Sequence, residues 1–180
     1  GYLEAPVIID GKLEPGYGGG VCQTSTTLFN AVMLAGLPVT ERTSHFSPVA
    51  YVPIGQDATV SFGDLDFCFT NSFENPVYVY VAYAPGEITC YILGDRADKP
   101  QQSEILLQHS GSIPFKTIEK VDPSQKEEKT IEYGHEGYSA GILQYARWAD
   151  GRIYQDTFES YYEPVDTVIT YNKDPKKQET

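Results

Sequence analysis

Four glycines within five residues, Gly16, Gly18, Gly19 and Gly20, run straight into Cys22. After them apolar residues recur at helical spacing, at Leu28, Ala31, Val32 and Ala35. Gly36 and then Pro38 stand where a left-handed cap and a following proline end a helix. The pattern predicts a flexible turn that delivers one cysteine to the first turn of a short buried helix. A thiol placed there meets unpaired N–H groups and the positive end of the helix dipole, both of which favour the thiolate. Thr24, Ser25, Thr26 and Thr27 are poor helix formers at the same spot, a local conflict of the kind that gathers at functional sites.

The 180 residues can form one large domain or two small ones, and 41% apolar with 13% aromatic content is that of a folded chain. There is no apolar run of membrane-spanning length and no signal peptide. The chain opens on Gly1 inside an apparently structured segment, so it reads as a piece of something longer. A formal charge of −12, from 25 acidic against 13 basic residues, argues against binding nucleic acid and against an electrostatic grip on a lipid bilayer by this fragment. Three cysteines are too few and too scattered for a disulfide scaffold, and the odd count leaves one thiol unpaired, with Cys22 the expected one.

Along the chain, Pro6-Val7-Ile8-Ile9 followed by Asp10-Gly11 reads as strand and turn. Pro38 to Thr43 starts an extended piece leading to His45, and residues 46–53 carry two prolines. Residues 58–62 and 65–69 read as a hairpin about Gly63-Asp64, and residues 66–73, 77–84 and 88–93 as an antiparallel meander. Residues 94–103 are polar and mark a boundary; beyond them only strands are expected, with Asp150-Gly151 a strong hairpin signal and the tail from Asn172 polar. The expected units are residues 1–95, a linker at 96–103 and an all-β unit at 104–180.

Nucleophilic catalysis by cysteine needs a thiolate, an imidazole to exchange its proton and a carboxylate or amide to orient that imidazole. The first unit has one cysteine at a helix start, one histidine, His45, and carboxylates at Asp57, Asp64 and Asp66. Cys22 is the expected nucleophile, His45 the general base and acid, and Asp57 its orienting group, with Asp66 as substitute. An oxyanion would be received by amides at Gly19, Gly20 and the helix start, with Gln23 or the hydroxyl of Ser25 or Thr26. The order of helix cysteine, then histidine, then aspartate resembles that of transglutaminase-like and papain-related enzymes, as does A-G-L-P-V-T-E-R at 35–42. The opposing reading is a small buried cysteine and a satisfied loop histidine. A phosphate-binding loop is excluded because no lysine follows Gly20. Zinc could draw only on Cys22, His45, Cys68 and Cys90, which lack paired spacing, so neither metal nor cofactor is expected. Cys68 and Cys90 read as core residues or a cross-strand disulfide.

Larger blocks of sequence carry a family resemblance. G-Y-L-E-A-P-V-I-I-D-G-K-L at 1–13, G-G-G-V-C-Q-T-S-T-T-L-F-N-A at 18–31, H-F-S-P-V-A-Y-V-P-I-G-Q-D-A-T-V at 45–60 and D-F-C-F-T-N at 66–71 resemble the VanW-like family of bacterial cell-surface proteins. Residues 128–171, with E-G-Y-S-A-G and Y-E-P-V-D-T-V-I, look like a G5 domain. The resemblance implies an extracytoplasmic address in a mostly Gram-positive lineage, anchored or secreted, with peptidoglycan or its peptide stems as partner. It implies no reaction.

These readings converge on an α+β fold, a helix packed on an antiparallel sheet in a transglutaminase or papain-like arrangement, followed by a small all-β domain. Two functions stand beside each other: a cysteine hydrolase or transpeptidase acting on amide bonds of the wall peptide, and a non-catalytic module that binds peptidoglycan or glycan.

Overall fold

The computed structural model describes residues 4–9 and 12–173. The expected turn at Asp10-Gly11 and the tail beyond residue 173 lie outside them. The strands are β1 (Glu4–Ile9), β2 (Lys12–Tyr17), β3 (Val39–Glu41), β4 (Cys68–Phe69), β5 (Tyr78–Ala84), β6 (Glu87–Leu93), β7 (Gln102–Ile113), β8 (Thr117–Val121), β9 (Lys129–Glu132), β10 (Gly137–Arg147), β11 (Ile153–Tyr162) and β12 (Thr167–Tyr171). Among the described residues one helix, α1 (Val21–Ala35), stands between β2 and β3.

This corrects the expected fold class. The described residues are mostly β, divided among five small sheets ordered β1-β2, β3-β4, β5-β6, β11-β10-β7 and β8-β12-β9, and the single 15-residue helix among them does not make a transglutaminase or papain-like α+β layer. The reason lies in residues 38–69, which would have to supply the central sheet. Prolines at 38, 48 and 53 and left-handed glycines at Gly55 (φ 84°) and Gly63 (φ 79°) break that stretch into bends, leaving strands of only three and two residues. The expected three-strand meander likewise reduces to the β5-β6 hairpin, because β4 pairs with β3 instead.

The helix ends as its sequence dictates. Gly36 is left-handed (φ 76°) and its N–H reaches back to the carbonyls of Met33 and Val32. The chain then uses β10 to close the helix end: Gln144 Nε2 donates to the carbonyls of Met33 and Leu37, each at 3.0 Å. Phe29, Met33, Ala58 and Ile142 form the core, joined by Val39, Phe67, Ile105 and Phe158. Phe29 is fully buried and meets Phe67 and Phe158 edge-on, with centroids 5.7 and 5.6 Å away. The core therefore draws on residues from both sides of the 96–103 segment. β10 and β11 are antiparallel about the Asp150-Gly151 turn, and β10 also pairs with β7. No helix among the described residues is long and apolar enough to cross a membrane.

Candidate active site

An isolated antiparallel bridge between Thr43 and Thr59 sets the geometry, with the Thr59 N–H donating to the Thr43 carbonyl at 2.9 Å. Antiparallel register places the residue two beyond Thr43 opposite the residue two before Thr59. Those residues are His45 and Asp57. Asp57 Oδ2 accepts the His45 backbone N–H at 2.7 Å and lies 2.7 Å from His45 Nδ1. With Nδ1 turned to the carboxylate, Nε2 is the ring nitrogen left for chemistry.

Helix α1 is fastened to the same segment by its hydroxyl residues. Ser25 Oγ donates to the Ala58 carbonyl at 2.6 Å, while Thr26 Oγ1 accepts the Ala58 N–H at 2.9 Å and lies 3.1 Å from its carbonyl. The run of poor helix formers is therefore structural glue, and the Ser25 and Thr26 hydroxyls are engaged by Ala58 instead of facing an incoming oxyanion. The same docking lays Cys22, second residue of the helix, against residues 59–60. Its Sγ is 3.4 Å from Thr59 Oγ1 and 3.5 Å from the Val60 carbonyl oxygen. The thiol is half-buried, and the His45 side chain is 13% exposed.

The electrostatics favour an ion pair. The neighbouring His45 imidazole lowers the Cys22 thiol to about 7 from its ordinary 9.0, against the opposing effect of burial and with help from Thr59 and the Val60 backbone. Burial pulls the other way on His45 too, but its hydrogen bond to Asp57 and the nearby Cys22 thiol prevail and raise it to about 9. For Asp57 burial is again outweighed, here by the His45 ring and backbone N–H, the Tyr162 hydroxyl and Arg42, so its carboxyl titrates below the ordinary value. Between about 7 and about 9 the thiolate–imidazolium pair is thus the prevailing form. The first turn of α1 holds no acidic residue to compete with the thiolate. The Val21 and Thr24 N–H groups are satisfied by the Gly18 and Gly20 carbonyls at 2.9 and 3.2 Å. The N–H groups of Cys22 and Gln23 find no backbone acceptor among the described residues, which makes them the available oxyanion donors.

Of the carboxylates considered, only Asp57 joins this group. Asp66 is exposed and accepts its neighbour's N–H, from Phe67, at 2.7 Å. Gly20 is the helix N-cap, and Gln23 is exposed beside it. Cys68 and Cys90 are free, partly buried thiols. An open cleft of about 350 Å³, lined by Gly36, Phe73, Trp148 and Arg152 among others, lies at the opposite end of α1.

Sequence reasoning missed the surroundings of Asp57. Arg42 Nε donates to the Asp57 carbonyl at 2.6 Å, Nη2 reaches Asp57 Oδ1 at 3.2 Å and the Gly55 carbonyl at 3.0 Å, and Nη1 reaches Ser160 Oγ at 2.8 Å. Tyr162 donates its hydroxyl to Asp57 Oδ1 at 2.5 Å. An arginine three positions before a candidate catalytic histidine was a usable signal; Tyr162, 105 residues from Asp57, left none in the local pattern.

Comparison with known proteins bears on the half of the chain that carries this group. The chain is 53% identical over 79 residues to the uncharacterized protein YoaR of Bacillus subtilis (strain 168), a stretch that is 44% of this chain and 26% of the relative, so the chain spans about a quarter of that protein's length. The family described as VanW like protein matches residues 1–93, a span that includes Cys22, His45 and Asp57, and the chain belongs to this VanW-like family.

Proposed function

We propose that the chain carries a cysteine-dependent acyl-transfer site acting on amide bonds of cell-wall peptides, as a hydrolase or transpeptidase. The observation that carries the reading is the pairing of the His45 ring with Asp57 at 2.7 Å on the segment against which α1 lays Cys22, with the thiol lowered and the imidazole raised. In the first step the Cys22 thiolate attacks the amide carbonyl carbon, and the carbonyl oxygen takes the negative charge beside the Cys22 and Gln23 N–H groups. As the C–N bond breaks, the His45 imidazolium gives its proton to the departing nitrogen, leaving a thioester and a free amine. Neutral His45 then takes a proton from water, or from an acceptor amine, as that group attacks the thioester and expels the thiolate. Asp57 holds the imidazole in the tautomer and orientation that both steps need.

The cell-wall address and the peptide stem as substrate rest on the family resemblance; the acid–base roles rest on the site. The competing reading, an adhesive module for peptidoglycan or glycan, has the exposed tyrosines of the β5-β6 hairpin in its favour, Tyr78, Tyr80 and Tyr83 being 68, 57 and 81% exposed. One experiment separates them: incubation of the 180-residue chain with cross-linked muropeptides, following release of free amine. Loss of turnover in a folded Cys22→Ala variant supports the enzyme, while absence of turnover in the parent, with undiminished wall binding by the variant, supports the module.

A further inference from the structure

We infer that the catalytic unit is bipartite: Tyr162, delivered by β11 from outside the family-matched residues, is a positioning residue that fixes Asp57, and through it His45, against Cys22. This rests on the acyl-transfer reading above and adds a part to it.

The two oxygens of Asp57 have different neighbours. Oδ2 faces His45, holding its backbone N–H and ring Nδ1, each at 2.7 Å. Oδ1 faces β11, where it takes the Tyr162 hydroxyl, and it also accepts from Nη2 of Arg42, the residue after β3. Tyr162 is 1% exposed, and its hydroxyl also accepts the Gly55 N–H at 2.9 Å. It therefore grips the 55–57 turn at both ends. The Gly55 position itself admits only glycine without strain, since it is left-handed and a Cβ there would approach the Ile142 Cγ2 of β10 at 3.0 Å. Arg42 repeats the cross-link, joining the Gly55 and Asp57 carbonyls on one side to Ser160 Oγ and the Glu159 carbonyl on the other.

A carboxylate anchored through one oxygen presents the other at a fixed place. Without the hydroxyl, Oδ1 keeps a single side-chain donor and the buried Gly55 N–H loses its acceptor, a loss that favours rearrangement of the turn. Burial first, then the adjacent Asp57, pushes the Tyr162 phenol up to about 12, so it remains a donor throughout the working range. The titratable or charged groups meeting around His45 and Asp57 are Cys22, Arg42, Tyr51 and Tyr162. Of these only Tyr162 comes from beyond residue 93.

The test is the rate of Cys22 alkylation by iodoacetamide against pH, in the full chain with Cys68 and Cys90 replaced by serine, for the parent, His45→Ala, Tyr162→Phe and Ser160→Ala. The parent midpoint is expected near 7, and Tyr162→Phe, folded by circular dichroism, is expected to move it up by about one unit, lowering the rate at pH 7 about fivefold. A merely structural tyrosine would lower thermal stability and leave the midpoint in place, which would overturn the proposal. Should Tyr162→Phe fail to fold, Tyr162→Met, which also removes the hydroxyl, decides: an upward midpoint supports the proposal and an unmoved one overturns it, while Ser160→Ala, which loosens only the Arg42 arm, overturns the particular role of Tyr162 if it moves the midpoint as far. A parent midpoint near 9 that ignores His45→Ala is a different failure. It removes the acyl-transfer reading itself, and the positioning role with it.

Discussion

His45 Nδ1 and Asp57 Oδ2 lie 2.7 Å apart, and the same oxygen holds the His45 backbone N–H at the same distance. Ring and backbone are thus locked to one acceptor, so the imidazole cannot turn without breaking a second bond. Asp57 itself is 1% exposed, and its charge is balanced by a guanidinium at 3.2 Å.

The first prediction is a bell-shaped pH profile for turnover. Activity rises through about 7 as the Cys22 thiol loses its proton and falls through about 9 as the imidazolium that protonates the leaving amine disappears. Iodoacetamide reactivity should show the acid limb alone, and the ring-proton shift of His45 in NMR the basic limb alone.

A second prediction concerns stability. Asp57 titrates below its ordinary 3.8 in the folded chain, so the stability it contributes is present above 3.8 and lost as pH falls through the lower folded value. His45, raised to about 9, contributes stability that is complete below 6.5 and declines as pH rises through about 9. Cys22, lowered to about 7, contributes stability that grows between about 7 and 9.0, and so offsets the loss from His45. Thermal melting is expected to be nearly flat from neutrality to about 9 and to drop on the acid side. Asp57→Asn should lose that acid dependence and cost about 3–5 kcal/mol, because it leaves the Arg42 charge buried without its partner.

Asp66 offers a contrast. It is exposed and bonded only to the adjacent N–H in the described structure, so Asp66→Asn is expected to leave the Cys22 alkylation profile unchanged and stability within about 0.5 kcal/mol. A shifted midpoint in that variant would reopen the choice of orienting carboxylate.

A fourth prediction addresses the core. Phe29 is wholly buried between Phe67 and Phe158 and lies under the Arg42 guanidinium at 5.3 Å. Phe29→Ala should cost about 3–5 kcal/mol, read as a lowered denaturation midpoint. Phe62→Ala, at a fully exposed side chain, should stay within about 0.5 kcal/mol of the parent.

What was legible in the sequence was local. The glycine turn, the helix to Ala35, the left-handed Gly36 and the Asp150-Gly151 hairpin follow from neighbouring residues and appear as expected. Cys22, His45 and Asp57 could be named because they are the reactive types nearest the helix start. The fold class failed because proline and left-handed glycine fragmented the stretch that alternation alone marked as strands. The anchoring of Asp57 was invisible for another reason: Tyr162 and Ser160 meet it and Arg42 across more than 100 residues, and no periodicity encodes such a meeting.

Thiolate, imidazolium, carboxylate and guanidinium follow one another through the site, two negative and two positive, so the working form of the cluster sums to zero inside a chain of net charge −12. Opposite charges gathered within one small cluster cancel much of each other's field beyond it, and bulk ions screen what little remains. Added salt should therefore hardly alter the reactivity of the sulfur. An acidic surface can coexist with an anionic nucleophile because the machinery presents no monopole to it.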